Sequence, residues 1–154
     1  MKIKNVKISG LKIIKTKIFF DKRGFFKEIF KNKFIKKNFK FDVMSLSKKN
    51  VIRGFHFQYK YQQVKLISVL KGKILDYVID LRKNSKTFGL YCHAYLNEKN
   101  KNLFWIPKGF AHGFIALEEN TEVQYKVQGL RVIDCERSII WNDPDLSIKW
   151  PILN

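Results

Sequence analysis

Two histidines of this chain sit in closely similar settings. His56 lies in Arg53-Gly54-Phe55-His56-Phe57-Gln58, and His112 lies in Pro107-Lys108-Gly109-Phe110-Ala111-His112-Gly113-Phe114. Each is flanked by glycine and phenylalanine. An imidazole changes charge near neutral pH, so in a sheltered pocket it can take or return a proton. One histidine among apolar neighbours is more often a hydrogen-bonded core residue. Two of them in matching surroundings point instead to a ligand site, and the mouth of a small barrel is a usual place for one. A metal is the first rival reading, with His56, His93, His112 and Asp76 as the ligand set. The residue two places after His56 is Gln58, not a second histidine, so the spacing does not favour a metal site and none is expected. A third cluster, Trp141-Asn142-Asp143-Pro144 with Ile148-Lys149-Trp150-Pro151, closes the chain.

The elements that must position these residues read as strands. Short apolar runs alternate with turn residues at close spacing, as in a sandwich or barrel. Residues 11–20 and 25–34 form two strands around the turn Asp21-Lys22-Arg23-Gly24, where Gly24 supplies a positive φ. Residues 51–58 and 64–70 form two more, and Lys71-Gly72 turns the chain into 73–81. There Ile74, Asp76, Val78 and Asp80 alternate with Leu75, Tyr77, Ile79 and Leu81. Residues 87–96, 103–106, 112–117 and 122–127 complete the set, the last two as a hairpin with its tip at 118–120. Only 31–40 reads as a helical turn, so the fold class is all-β. Arg53 and His56 are three apart, and a regular strand would point them to opposite faces. Gly54 is the place for a bulge that re-aims one of them.

Composition bounds the rest. The chain has 154 residues, 45% of them hydrophobic, which suits one domain with a real core and excludes disorder. Its 14 phenylalanines against 3 prolines favour strands. No run reaches the ~18 to 20 apolar residues of a membrane span, and residues 1–17 carry lysines too often for a signal peptide. A cytoplasmic location without a membrane partner is expected. Cys92 and Cys135 are too few and too far apart for a disulfide framework. The formal net charge is +18, but the lysines are dispersed along the chain. That reads as a basic surface drawing in an anionic substrate, with no nucleic-acid partner.

An ordered series of motifs carries a resemblance. It begins with Phe20-Asp21-x-Arg23-Gly24-x-Phe26-x-Glu28, Arg53-Gly54-x-His56-x-Gln58 and Lys65-Leu66. It continues with Gly72-x-Ile74-x-Asp76, Asp80-Leu81-Arg82, Ser85-x-Thr87-Phe88-Gly89 and Ile106-Pro107-x-Gly109-Phe110-Ala111-His112-Gly113-Phe114. Tyr125-Lys126, Trp141-Asn142-Asp143-Pro144 and Trp150-Pro151 complete it. Taken together, and in register from about residue 10 to the end, the series resembles the dTDP-4-dehydrorhamnose 3,5-epimerase family. The resemblance implies a cupin-type jelly-roll β-barrel in a single domain, 1–154. It implies inversion at C3 and/or C5 of a nucleotide-linked 4-keto sugar through an enolate, with no cofactor. His56 matches the base, Tyr125 the acid and Lys65 the cation beside the enolate oxygen. Arg53, Ser45, Ser47, Gln58, His112 and Glu136 match substrate-binding positions, with Asp76 supporting His112. Arg23 and Glu28 match residues that bind the nucleotide, reaching across from a neighbouring subunit, which implies a homodimer, and Phe26 matches a further substrate-binding position.

The pattern departs from the family at several ligand contacts. Phe41 and Val43 stand where the family usually has glutamine and asparagine, and Arg131 and Ile133 where it has tyrosine and proline. The family continues a few dozen residues past the position of Asn154, through an aspartate paired with the catalytic histidine and a lysine touching the ligand. His56 is therefore expected to lean on another carboxylate, Asp143 or one from elsewhere. The base, acid and enolate lysine are kept, so the departures point to a retained reaction on a changed substrate. The substrates expected are a dTDP-4-keto-6-deoxyhexose or, with the nucleotide or sugar changed, a GDP-linked 4-keto heptose, and inversion at one carbon only is a second possibility. The alternatives from other classes are a sugar-nucleotide 3,4-ketoisomerase and a catalytically inactive sugar-nucleotide-binding module.

Overall fold

The computed structural model describes residues 1–31 and 38–151. Thirteen strands follow in order: β1 (Lys2–Asn5), β2 (Lys12–Lys15), β3 (Ile18–Asp21), β4 (Gly24–Lys27), β5 (Phe41–Ser47), β6 (Ile52–Gln58), β7 (Val64–Lys71), β8 (Lys73–Asp80), β9 (Tyr91–Asn97), β10 (Leu103–Ile106), β11 (Phe110–Ala116), β12 (Thr121–Gln128) and β13 (Glu136–Ser138). A single 3-10 turn, Ile133–Cys135, interrupts them. One sheet has the order β1-β2-β10-β7-β12-β5, a second has β13-β6-β11-β8-β9, and β3 and β4 form a separate hairpin. This is the antiparallel, all-β jelly roll of the cupin type.

Two-residue alternation explains the layering. Ile67 and Val69 from the first sheet meet Ile74, Val78 and Phe114 from the second in the core between them. The opposite face of the second sheet presents Phe55, Leu75, Tyr77, Ile79, Ala111 and Ile115. Trp150 covers that face, its ring 4.5 Å from Tyr77 and 5.7 Å from Phe55. The Tyr77 hydroxyl donates to the Lys149 carbonyl, and the Trp150 indole N–H donates to the Trp141 carbonyl. The C-terminal cluster of aromatics is therefore the outer wall of this sheet, not part of a reactive site.

The strands read from sequence at 51–58, 64–70, 73–81 and 103–106 are present to within a residue. Residues 11–20 do not form one strand: the chain breaks at Thr16-Lys17 between β2 and β3. The strand expected over 25–34 ends at Lys27, and most of the helical turn expected over 31–40 lies outside the described residues. β1, β5 and β13 are additional.

Gly54 carries the irregularity that matters most. Opposite β11, His56 pairs with His112 and Arg53 pairs with Phe114, so three steps along β6 match two along β11. Gly54 and Phe55 together oppose Gly113, which is a β-bulge. Gly54 has φ +123°, and a Cβ there would lie 2.5 Å from the Gly113 Cα. Only a residue without a side chain fits between these two backbones.

Candidate active site

A cavity of about 640 Å³ opens between the sheets at the end where the apolar core stops. β6 and β11 bring His56, Arg53 and His112 to it from one sheet. β5, β7 and β12 bring Ser45, Lys65 and Tyr125 from the other. The bulge settles the facing of Arg53 and His56: both line the cavity, while Phe55 between them is fully buried on the outer face.

Each side chain is held by a nearby contact. The Arg53 Nε donates to Ser47 Oγ at 2.8 Å, and its Nη2 donates to the Leu46 carbonyl at 3.0 Å. Ser47 is 3% exposed and acts on the cavity by fixing Arg53. His112 Nε2 lies 2.9 Å from Asp76 Oδ2, both groups buried. With the carboxylate ionised, the imidazole N–H donates. The His112 ring stands edge-on to Tyr125 at 6.0 Å, and the Tyr125 hydroxyl lies 3.4 Å from Ser45 Oγ. Gln58 uses its amide on backbone: Nε2 donates to the carbonyls of Tyr61 and Leu130, and Oε1 accepts from Val132 N–H. It fastens the 130–132 segment to the strand that bears His56.

Electrostatics set the working states. Desolvation lowers the pKa of His56, and the charges of Lys65, His112 and Arg53 lower it further against the opposing carboxylate of Glu136. The imidazole is therefore the neutral, proton-accepting form at pH 7. Burial pushes Tyr125 up to about 12, partly offset by its contact with Ser45, so the phenol keeps its proton. Burial lowers Lys65, with Asp76 and Glu136 acting in the other direction. Burial raises Asp76, while His112 and Lys65 draw it back. A neutral imidazole, a protonated phenol and the amino group of Lys65 thus share one pocket.

Not every residue chosen from sequence arrives there. Arg23 is paired with Asp21 at 2.7 Å on the exposed β3–β4 hairpin, Phe26 is 67% exposed, and Glu28 contacts Lys31. These three stand away from the chain's own cavity. Asp143 caps a turn, its Oδ1 accepting from the N–H groups of Asp145 and Leu146. His93 turns to the outer layer against Tyr77 at 5.5 Å, so the weighed ligand set of three histidines and Asp76 is not gathered at one point. Glu136 does line the cavity, and its carboxylate accepts from Arg131 at 2.7 Å. Phe41 and Val43, marked in the sequence as departures from the family's ligand contacts, form one wall of the cavity with Val127 and Phe114. Phe41 and Val43 share the two-residue phase of Ser45 and Ser47, a signal visible only once β5 is recognised as a strand.

A jelly-roll barrel with a neutral histidine, a phenol and an ammonium in one pocket between its sheets belongs to the cupin class and is equipped for proton transfer. A family model described as dTDP-4-dehydrorhamnose 3,5-epimerase matches residues 5–154. The enzyme of that name from Methanothermobacter thermautotrophicus is 40% identical over 150 residues, covering 94% of this chain and 81% of the relative. That of Escherichia coli K12 is 38% identical, covering 98% and 85%. The crystal structure of dTDP-6-deoxy-D-glucose-3,5-epimerase from Legionella pneumophila Philadelphia 1, in complex with dTDP-4-keto-L-rhamnose, matches with a TM-score of 0.95. It is 43% identical and covers 98% of this chain and 84% of that one. The Bacillus anthracis enzyme with TDP and PPi bound also matches at 0.95, with 37% identity and coverage of 99% and 91%. This chain belongs to the dTDP-4-dehydrorhamnose 3,5-epimerase family, a family of carbohydrate epimerases.

The charge pattern makes a direct prediction. Followed by NMR, His56 titrates with a midpoint below 6.5, being protonated below that midpoint and neutral above it. Lys65→Met moves the midpoint up but leaves it below 6.5, because the larger cause, desolvation, is unchanged. A wild-type midpoint above 6.5 would contradict this balance.

Proposed function

We propose that this chain epimerises a nucleotide-linked 4-keto sugar at C3 and C5, the whole of 1–154 working as one domain around one cavity. The observation that carries this reading is that His56 and Tyr125 line the same cavity from opposite sheets. A sugar ring between the sheets would be reached on one face by the base and on the other by the acid.

The 4-keto group acidifies the hydrogens on its neighbouring carbons. His56 takes one as a proton, and the C–H electron pair moves into an enolate whose charge rests on the keto oxygen. The Lys65 ammonium stabilises that oxygen. Tyr125 then returns a proton to the carbon from the opposite face and is left as a phenolate, to be reprotonated from solvent. No cofactor enters these steps. Arg53, held by Ser47, is assigned to the substrate, as are Ser45 beside Tyr125, Glu136, and His112, the last oriented by Asp76. Gln58 acts through the segment it fastens. His112 Nε2 is engaged by Asp76, which favours the epimerase over the ketoisomerase, since the acid role falls to Tyr125.

The hairpin supports a homodimer. Phe20 is 75% and Phe26 67% exposed beside Arg23, a surface that solvent alone rarely covers. We assign Arg23, Phe26 and Glu28 to the nucleotide of a neighbouring subunit's site. The reaction is placed in the cytoplasm. No helix among the described residues is long and apolar enough to cross a membrane.

The substrate is tested by proton NMR in D2O with dTDP- and GDP-linked 4-keto sugars. Loss of the C3 and C5 signals with an unmoved carbonyl is expected, and the nucleotide that supports it is the natural one. Migration of the carbonyl would establish the isomerase instead, and binding without exchange an inactive module. The shared site is tested by mixing His56→Asn chains with Arg23→Ala chains. Each is inactive or weak alone, and the mixture regains activity; a mixture no better than its components contradicts the shared site.

A further inference from the structure

Among the described residues two arginines line the cavity, and they are held very differently. Arg53 is committed to Ser47 and to the Leu46 carbonyl. Arg131 stands at the mouth with its backbone pinned on both sides. Gln58 and Gln63 each donate to the Leu130 carbonyl at 3.0 Å, and Val132 N–H donates to Gln58 at 2.8 Å. The guanidinium is paired only with Glu136, Nε to Oε1 at 2.7 Å and Nη2 to Oε2 at 3.4 Å. The two side chains are 64% and 39% exposed. Such an exposed ion pair is screened by water and contributes little, so exchanging its partner costs little. A diphosphate offers a guanidinium two parallel charge-assisted hydrogen bonds, a stronger match.

Glu136 has a second place to go. Across β13 and β6, Glu136 pairs with Gln58 and Ser138 pairs with His56. Residues two apart on a strand share a face, so Glu136 and His56 are diagonal neighbours, about 7–8 Å apart and within reach of a long side chain. The groups that face His56 are Lys65 from β7, His112 from β11, Arg53 from its own strand and Glu136 from β13. Glu136 is the only carboxylate among them.

We propose that Arg131 is a diphosphate-binding residue and that Arg131 and Glu136 form an exchangeable pair. When the substrate's diphosphate takes the guanidinium, the freed carboxylate turns along β13 to His56 and supports the imidazolium formed by proton abstraction. Arg131 touches the diphosphate; Glu136, besides its assignment to the substrate, positions His56. This rests on the reading of the substrate as a nucleoside diphosphate sugar.

The probe is dTDP, which carries the diphosphate without the sugar, measured by calorimetry and by NMR titration of His56. Arg131→Ala weakens dTDP binding about tenfold or more, as expected for a charged hydrogen-bond partner. Arg131→Lys recovers only part, since an ammonium lacks the fork. In unliganded Arg131→Ala, Glu136 is already free and the His56 midpoint rises. In Arg131→Ala with Glu136→Gln, that rise disappears. If wild type binds dTDP and Arg131→Ala binds it equally well, the clamp is overturned while the substrate reading stands. A His56 midpoint unmoved by Arg131→Ala overturns the hand-over. A wild type that binds neither dTDP nor GDP overturns the substrate reading and the clamp with it.

Discussion

The site depends on the close approach of two backbones, Gly54 of β6 and Gly113 of β11. A regular strand would send Arg53 and His56 to opposite faces of the sheet. The extra residue in β6 turns both toward the cavity and leaves Phe55 in the outer core, where Trp150 covers it. It also sets His56 directly across from His112, so the second sheet presents both imidazoles at one level. A side chain at Gly54 would push these strands apart at the point where that geometry is made.

Burial then does the electrostatic work. Desolvation is the first cause of the shifts at His56, Lys65, Asp76 and Tyr125. It holds the base neutral and the phenol protonated, which are the states proton abstraction and return require. The charges refine this without reversing it: Lys65 opposes protonation of His56, and His112 with Lys65 draws back the rise that burial imposes on Asp76. The barrel's contribution is thus the partial burial of these ionisable groups at one end, together with the placement of His56 and Tyr125 on different sheets.

Much of this was legible in the residues. The alternation of Ile74, Asp76, Val78 and Asp80 with Leu75, Tyr77 and Ile79 placed β8 and put Asp76 inside the barrel. The glycines beside His56 and His112 marked the irregular strand. β5 was not legible, because Asp42, Met44 and Leu46 face outward while Phe41, Val43, Ser45 and Ser47 face inward. Apolar and polar side chains occur on both faces, so no period stands out. β13, three residues long, carries no periodicity at all. Arg131 drew notice only as a departure from the family's pattern. Its pairing with Glu136 joins a loop to a strand end through Gln58, and that contact exists only in the folded chain. The reverse holds for Arg23, Phe26 and Glu28, whose motif is plain in sequence but which stand away from this chain's own cavity.

The central claim is that abstraction and return of the proton are separate acts of groups on opposite walls. It is tested most directly by proton NMR in D2O on the accepted 4-keto sugar with Tyr125→Phe beside His56→Asn. The account predicts that Tyr125→Phe still exchanges a C3 or C5 hydrogen for deuterium, because the base is intact, but returns it without inversion. His56→Asn should do neither. Normal inversion by Tyr125→Phe, or undiminished exchange by His56→Asn, would contradict it.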